Sequence, residues 1–343
     1  MADQVWFALP GDLETVTGGY VYARRLIRHL PAAGWTVHHV ALPAAVDPAE
    51  TQRRLAAIPP GSTVLVDGLA FGVLPPPLLD SLPLRWVALV HHPLALETGL
   101  DPATAARLRD SEKQALPAAR RVIVTSPHTA DSLIGDYGVP AERIDIALPG
   151  TDPVARAAGG GRPPRLLTVA TLTRRKAHDV LLAALARIRD LAWQSRLVGS
   201  LGRDGEVVAE VRRTIARFGL EDRVVLVGEL TGAALEKEYA AAEAFVLPSR
   251  HEGYGMACAE ALAHGLPVVA CAAGAVPETV PAEAGLLVPV DDAEALAGAL
   301  RRLLADARLR QRLGDAAWAH GRRLPTWDDT ARAVGRALAR VGP

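Results

Sequence analysis

Two glutamates in one glycine-rich stretch have a spacing that suits chemistry. Glu252 stands before the turn Gly253-Tyr-Gly255, and Glu260 follows on the next predicted helix. If that helix begins near Gly255, Glu260 lies roughly 7 Å along its axis, at ~1.5 Å per residue. Two carboxylates at that separation cannot share one proton. We therefore expect them to contact different parts of one extended ligand, such as a sugar and a ribose.

The residues around these glutamates predict a strand, a turn, a helix and a second strand. Ala244 to Leu247 is an apolar run typical of a buried strand, a helix follows from Met256 to a terminal Gly265, and Val268 to Cys271 predicts the next strand. This order is the unit of a parallel α/β sheet. The backbone N–H groups at Gly255 and Met256, at the positive end of the helix dipole, suit a phosphate.

The wider pattern resembles the signature of the retaining family-4 glycosyltransferases, the glycosyl transferases group 1. Its parts are Glu252-Gly-Tyr-Gly, then Glu260-Ala, then Gly-Leu-Pro-Val-Val, and finally Gly274-Ala-Val-Pro277-Glu278. The resemblance implies that Glu260 holds the ribose hydroxyls of a nucleotide sugar, that Glu252 orients the donor sugar, and that the Gly255-Met256 backbone stabilises the diphosphate. Taken singly, each glutamate is explained equally well as a helix cap (Glu252) or a solvated helical acid (Glu260).

A basic loop supplies further candidates. In Thr171-Leu-Thr-Arg174-Arg175-Lys176, Lys176 matches the lysine of the Arg and Lys pair that neutralises the leaving diphosphate in this family. Thr171 stands where the family has the arginine, and Ala177 where it has a glycine. We hypothesise that Arg175 or Arg174 supplies the missing cation. The alternative is a solvated basic loop. Downstream, Gly228 and Leu230 resemble the segment that brackets the donor's base.

The first half of the chain offers two more candidates. Gly18-Gly19 follows the first predicted strand and resembles the family's glycine loop, whose amides approach the donor phosphate from the opposite domain. The alternative is a tight turn with positive φ. His91-His92 and Asp67 both follow predicted strands, at the edge where open α/β sheets bind ligands. The resemblance implies a histidine beside the donor sugar; His91 is the first choice, and a structural histidine is the alternative.

The resemblance also implies the GT-B architecture, in which two doubly wound, Rossmann-like α/β domains face each other across a cleft. The 343 residues, 50% of them hydrophobic, are enough for two such cores. We predict an N-terminal acceptor-side domain at 1–152, a Gly- and Pro-rich linker at 153–164 and a nucleotide-sugar-binding domain at 165–325. A helix in 326–343 either crosses back to the first domain or packs on its own.

Apolar runs and helical periodicity predict the individual elements. The predicted strands cover 4–9, 34–42, 63–66, 84–90, 122–125, 144–147, 165–170, 194–199, 224–227, 244–247 and 268–271. The predicted helices cover 20–30, 101–115, 127–137, 179–188, 206–218, 233–242, 256–264 and 327–338.

Composition excludes several other classes of protein. The 38 basic and 38 acidic residues give no basic field for nucleic acid. Cys258 and Cys271 fall in apolar elements and do not form a disulfide framework. No run of ~18 apolar residues predicts a membrane span. The segment from Met1 to Phe7 leads directly into a strand, which predicts a cytoplasmic protein and leaves open a peripheral contact with the inner face of a membrane. High Ala and Arg with few Lys suggest a bacterial origin.

The resemblance therefore predicts a retaining, metal-independent transfer of a hexose from a nucleoside-diphosphate sugar to a hydroxyl acceptor, with no cofactor. No Asp-x-Asp motif or dense His/Cys/Asp cluster predicts a metal site. The acceptor, a sugar, a lipid-linked sugar or a small molecule, is expected at the loops 69–77 and 94–99. Departures from the family pattern at Thr171 and Pro149 prompt one alternative, an inactive nucleotide-sugar-binding homologue. A separate, enzymatic alternative is a sugar-nucleotide epimerase of the same architecture.

Overall fold

The computed structural model describes residues 3–44, 47–97 and 99–342. These residues form two compact units. The first comprises Met1–Gly150 together with Pro325–Pro343, and the second comprises Thr151–Leu324. Met1 and Ala2 of the predicted N-terminal segment, and Thr98 of the predicted loop 94–99, lie outside the described residues.

The first unit alternates strands and helices. In chain order they are β1 (Asp3–Pro10), α1 (Gly18–His29), β2 (Trp35–Leu42), α2 (Pro48–Ala56), β3 (Thr63–Asp67), α3 (Gly68–Phe71), α4 (Pro76–Ser81), β4 (Arg85–Val90), α5 (Pro102–Ala115), β5 (Arg121–Val124), α6 (Pro127–Tyr137) and β6 (Ile144–Ile146). The last helix of the chain, Trp327–Ala339, also belongs to this unit.

The six strands of the first unit form one parallel sheet in the order β2-β1-β3-β4-β5-β6. Strands β3 and β4 are buried almost throughout, as expected of a sheet covered on both faces. The chain leaves β1 toward β2 on one side and continues from β3 on the other, so the strand order reverses beside β1. Ligands of open α/β sheets bind at the carboxyl ends of the strands at such a reversal.

The second unit repeats this architecture. Its elements are β7 (Arg165–Val169), α7 (His178–Ala186), β8 (Gln194–Val198), α8 (Gly205–Arg217), β9 (Val224–Gly228), α9 (Gly232–Ala240), β10 (Ala244–Leu247), α10 (Met256–Ala263), β11 (Val268–Cys271), α11 (Val276–Thr279), β12 (Gly285–Val288), α12 (Ala293–Ala305) and α13 (Ala307–Gly321). The final helix, Trp327–Ala339, is α14.

The second sheet is also parallel, with the order β12-β11-β10-β7-β8-β9. Successive residues of its strands enter different cores: Leu166 packs with α7, α8 and α12, whereas Leu167 packs with α9, α10 and α13. The order reverses between β7 and β10. The loops that follow these two strands therefore emerge side by side at the edge where a ligand is expected.

The two doubly wound α/β sheets confirm the predicted fold class. Most predicted elements agree with the structure to within about two residues. The elements that the sequence analysis missed are the helices α2, α3, α4, α11, α12 and α13 and the strand β12. The segment 153–164, predicted as a linker, groups with the second unit, where the N–H of Ala157 donates to the carbonyl of His264 at 2.8 Å.

Helix α14 is fixed within the first unit by specific contacts. The Thr330 hydroxyl donates to the Leu148 carbonyl at 2.8 Å, and the ring of Trp327 meets Tyr22 edge-on at 5.8 Å. A Cβ on Gly150 would lie 2.4 Å from the Trp327 nitrogen, so only glycine allows this approach. Among the helices described, none is long and apolar enough to cross a membrane.

Candidate functional site

The basic loop after β7 meets the glycine turn after β10. Arg174–Lys176 forms one 3-10 turn, and the Lys176 ammonium lies 2.5 Å from Glu252 Oε1. Glu252 is only 6% exposed. The N–H of Arg250 also donates to the Arg175 carbonyl at 2.8 Å, which joins the two loops through their backbones. A pairing between residues 76 positions apart thus follows from the adjacency of β7 and β10.

Arg175 is the second cation at this place. Its Nη1 donates to the His251 carbonyl at 2.8 Å and lies 3.5 Å from Glu252 Oε2. Arg174 instead extends toward Glu206, at 3.9 Å, with more than half of its side chain exposed. Of the two arginines considered as replacements for the one expected at Thr171, the structure brings Arg175 to Lys176.

The electrostatics of this cluster favour an anion. Burial alone raises the pKa of Glu252, but the neighbouring charges of Lys176 and Arg175 outweigh it and lower the pKa to about 2. Burial lowers the pKa of Lys176, and Arg175 lowers it further, while Glu252 opposes both. Two cations against one carboxylate leave a net positive charge in a mostly buried place, where charge interactions are stronger than in water.

The glycine turn places a helix N-terminus beside this cluster. Gly255 has φ +87° and precedes α10, whose first amides receive no side-chain cap within the described part of the chain. Two hydrogen bonds from the segment at α11 fix the turn. The N–H of Ala275 donates to the Glu252 carbonyl at 2.9 Å, and the Thr279 hydroxyl donates to the Tyr254 carbonyl at 2.5 Å. The N–H groups at Gly255 and Met256 are therefore held in one orientation.

Glu260 lies half-buried on α10 and has a different partner from Glu252. Its Oε2 accepts a hydrogen bond from the Tyr239 hydroxyl at 2.8 Å. Burial raises the pKa of Glu260, and the bond from Tyr239 and the nearby His264 partly offset this rise. The two glutamates thus serve separate positions, as their spacing predicts.

The two residues predicted to contact the nucleobase of the donor lie at the end of β9 and just after it. Gly228, with φ +86°, is its last residue, and its carbonyl accepts from the N–H of Gly199 at 2.9 Å. Leu230 is half-buried and packs on the core that contains α9 and α10. The structure therefore places Leu230 on the same side of the sheet as Glu260.

In the first unit, Gly18 and Gly19 form the first turn of α1. Their backbone is helical, which excludes the alternative of a turn with positive φ. Gly19 lies against His91: a Cβ at this position would be 3.4 Å from the imidazole Cδ2 and 3.5 Å from Nε2, which is ordinary van der Waals contact. The Arg24 guanidinium donates to the carbonyls of Leu13 and Thr15, which fixes the loop before α1.

His91 directly follows β4, at the edge of the first sheet that is formed by the carboxyl ends of its strands. Its Nε2 is buried and makes no hydrogen bond to the residues that are described, but it lies 3.5 Å from Asp67 Oδ2, at the end of β3. Tyr22 meets the imidazole edge-on at 5.2 Å. His92 points elsewhere, with Nε2 3.5 Å from Glu97 Oε2. Of the two histidines, His91 is the one placed against the Gly18-Gly19 helix start.

Two family models match this chain. Residues 65–154 match Glycosyltransferase Family 4, and residues 163–306 match Glycosyl transferases group 1. Together the matches span more than half of the chain. The chain belongs to the group 1 glycosyl transferases.

Named relatives of this glycosyltransferase family agree. The D-inositol 3-phosphate glycosyltransferase of Streptomyces bingchenggensis is 33% identical over 284 residues, covering 74% of this chain and 62% of that protein. The enzyme of the same name from Salinispora arenicola is 33% identical over 298 residues, covering 76% and 66%. An MMP alpha-(1->4)-mannosyltransferase of Mycolicibacterium hassiacum is 29% identical over 275 residues, covering 74% and 66%. The chain thus spans between 62% and 66% of the length of these relatives.

Solved structures confirm the GT-B architecture. Sucrose-phosphate synthase from Thermosynechococcus elongatus has a TM-score of 0.82 and 26% identity, covering 98% of both chains. HepE of Anabaena, solved in complex with UDP and glucose, has a TM-score of 0.77 and 17% identity, covering 97% of this chain and 99% of that one. The second likeness is one of fold alone.

Sequence reasoning assigned no role to two residues that contact the candidate glycosyltransferase site. Asp67 faces His91, and its position at the carboxyl end of a buried strand was a usable signal. Tyr239, on α9, donates a hydrogen bond to Glu260. In the sequence, Tyr239 looks like any other buried aromatic residue of a helix. Only the three-dimensional contact of α9 with α10 identifies it.

Proposed function

We propose that this protein transfers a hexose from a nucleoside-diphosphate sugar to the hydroxyl group of an acceptor. The observation that carries the proposal is the cluster of Lys176, Arg175 and Glu252 beside the Gly255 turn, at the strand ends where the order of the second sheet reverses. Positive charge and helix amides converge there, as an anionic diphosphate requires. Family membership supplies the reaction class.

The donor's parts are assigned to separate groups. Lys176, Arg175 and the backbone N–H groups at Gly255 and Met256 bind the diphosphate, each charge-assisted hydrogen bond contributing ~1.5–3 kcal/mol. Glu252 orients the sugar and keeps the two cations in place. Glu260 accepts hydrogen bonds from the ribose, and Gly228 and Leu230 bracket the base. From the first unit, we assign Gly18 and Gly19 to the phosphate and His91 to the sugar.

The chemical step needs charge neutralisation more than a strong base. The bond from the anomeric carbon to the diphosphate oxygen breaks, the bond from that carbon to the acceptor oxygen forms on the same face, and the departing phosphate accepts the acceptor's proton. Retention of configuration follows from attack on that face. Lys176 and Arg175 stabilise the negative charge that develops on the leaving group. Metal independence is part of the proposal, because these cations can supply the neutralisation that a divalent ion would otherwise provide.

The acceptor is a sugar, a lipid-linked sugar or another small molecule, bound at the segments 69–77 and 94–99. The first of these was expected to be a loop, but it contains most of α3 and the start of α4. Leu69, at the start of α3, is 51% exposed and offers an apolar contact there. The relatives named for D-inositol 3-phosphate make that compound the first acceptor to test.

The test is a transfer assay with purified protein. UDP-, GDP- and ADP-activated glucose and mannose are combined with D-inositol 3-phosphate, sugar phosphates and a lipid extract, with and without EDTA. The proposal expects acceptor-dependent release of one nucleoside diphosphate, resistance to EDTA, and a product whose anomeric configuration by NMR matches that of the donor. An inverted product or a glycosyl-enzyme adduct contradicts the step described above. Donor binding without turnover identifies an inactive homologue, and donor conversion without acceptor identifies an epimerase.

A further inference from the structure

One oxygen of Glu260 is already occupied by the protein. Glu260 Oε2 accepts from the Tyr239 hydroxyl at 2.8 Å, and no other side chain among the described residues bonds this carboxylate. Tyr239 is 1% exposed, so its hydroxyl has no access to bulk water. The remaining oxygen, Oε1, is thereby left in a fixed orientation for a ligand.

Tyr239 itself is locked in place by ring contacts. The imidazole of His264 stacks on its ring at 4.5 Å with an interplanar angle of 9°, and Phe245 stacks at 6.1 Å. His264 is fixed in turn, with Nδ1 2.8 Å from the Glu260 carbonyl and Nε2 2.9 Å from Glu236 Oε2. The helices α9 and α10 thus clamp the phenol against the carboxylate.

The direction of the hydrogen bond follows from burial. Burial, followed by the charge of Glu260, raises the pKa of Tyr239 well above its ordinary value, so the phenol keeps its proton and donates. The same bond lowers the pKa of Glu260, which burial raises. Removing the hydroxyl therefore leaves a half-buried carboxylate that is harder to ionise and free to rotate. A weaker and less directed acceptor results.

We propose that Tyr239 is a positioning residue for Glu260: by holding Oε2, it aims Oε1 at the donor's ribose and sets the preference for ribose over deoxyribose. This inference rests on the proposed function, because Glu260 must meet a ribose for Tyr239 to act through it. A buried tyrosine with only a structural role would affect ribonucleotides and deoxyribonucleotides alike.

The test compares two nucleotides on the full chain. Among UDP, GDP and ADP, the one that raises the melting temperature most is titrated calorimetrically beside its 2′-deoxy analogue. Tyr239→Phe is expected to weaken binding of the ribonucleotide about tenfold and that of the deoxy analogue less than about twofold. In a Glu260→Gln background, Tyr239→Phe is expected to change neither affinity further, because the two residues act as one unit.

A matched control removes a different buried hydroxyl of the same unit. Thr168→Val deletes a hydroxyl that donates to the Val246 carbonyl at 2.8 Å in the sheet core, and it must leave the ribo/deoxy ratio unchanged. If Tyr239→Phe is not folded at the assay temperature, Tyr239→3,5-difluorotyrosine, a stronger donor, must raise the ratio. An unchanged ratio in either Tyr239 variant overturns the inference alone. If the wild type binds none of the three nucleoside diphosphates, the proposed function is overturned as well.

Discussion

The Lys176 ammonium lies 2.5 Å from Glu252 Oε1, and this pair joins the loop after β7 to the loop after β10. Both side chains are largely buried, with Arg175 3.5 Å from the other carboxylate oxygen. The pair therefore has two consequences. It stabilises the second unit in a measurable way, and it keeps two cations in position for an anionic ligand.

Removal of one partner should destabilise the protein more than removal of both. Lys176→Met keeps the apolar stem but leaves Glu252 buried beside Arg175 alone, so the free energy of unfolding should fall by ~3 kcal/mol. In Lys176→Met/Glu252→Gln no unpaired carboxylate remains, and at least half of the loss should be recovered. Urea denaturation of the wild type, Lys176→Met, Glu252→Gln and the double variant measures the four free energies of unfolding. Additive losses in the double variant contradict the pairing.

Acid should weaken the fold through Glu252. Its pKa is about 2 in the folded protein against an ordinary 4.5, so the stabilisation is fully present above pH 4.5 and is lost as the pH falls toward 2. The shift corresponds to a loss on the order of 3 kcal/mol. Urea denaturation from pH 6 to pH 2.5 measures it, with Glu252→Gln as the control. Parallel curves for the two proteins would show that the carboxylate is not stabilised by its cations.

Glu112 should show the opposite pH dependence. This glutamate on α5 is buried, and burial raises its pKa to about 7, although its Oε2 accepts from the N–H of Leu94 at 3.0 Å. Stability from the protonated form is complete below pH 4.5 and is lost as the pH rises toward 7. Glu112→Gln, which retains an acceptor for Leu94, should therefore stabilise the protein at pH 8 by up to ~3 kcal/mol and have little effect at pH 4. Thermal melts of the wild type and Glu112→Gln at pH 8 and pH 4 test this. An equal change in melting temperature at the two pH values would contradict the prediction.

Gly274 should tolerate no side chain. Its φ is +56°, and a Cβ would lie 2.2 Å from the Glu252 carbonyl oxygen. Gly274→Ala must displace the turn that carries Glu252, with an expected loss above ~3 kcal/mol. Gly232 has φ +54° and open space around its Cβ, so Gly232→Ala isolates the backbone strain, ~1 kcal/mol. Similar melting temperatures for the two variants contradict the close approach.

Local patterns predicted the elements that a single window of sequence determines. Buried strands such as β10 and β11 are continuous apolar runs, and α10 begins directly after Gly255, where a glycine admits the positive φ of the turn. Strand β12, Gly285–Val288, is as short as β10 and β11, but it begins with a glycine, which strands disfavour, and its two central residues are only half-buried. Helices α12 and α13 begin after Asp292 and Asp306, whose carboxylates cap them, and these caps were available signals.

The site was predictable as a set of residues but not as a set of contacts. Motif spacing identified Lys176, Glu252 and Glu260 without indicating that the first two pair. Nothing in a linear pattern indicates that Tyr239 bonds Glu260 or that Asp67 faces His91, because such contacts depend on which strands and helices are neighbours. Sheet order determines those neighbours, and it is a long-range property of the chain.

Calorimetric titration of UDP, GDP and ADP into the wild type, Lys176→Met and Lys237→Ala tests the central claim most directly. Lys237 lies exposed on α9 in the same unit and serves as the matched lysine. If the cluster at the β7 and β10 loops holds a diphosphate, one nucleotide binds the wild type, Lys176→Met weakens it at least ~tenfold, and Lys237→Ala changes it less than about twofold. No binding to the wild type, or equal binding to the wild type and Lys176→Met, would contradict the assignment.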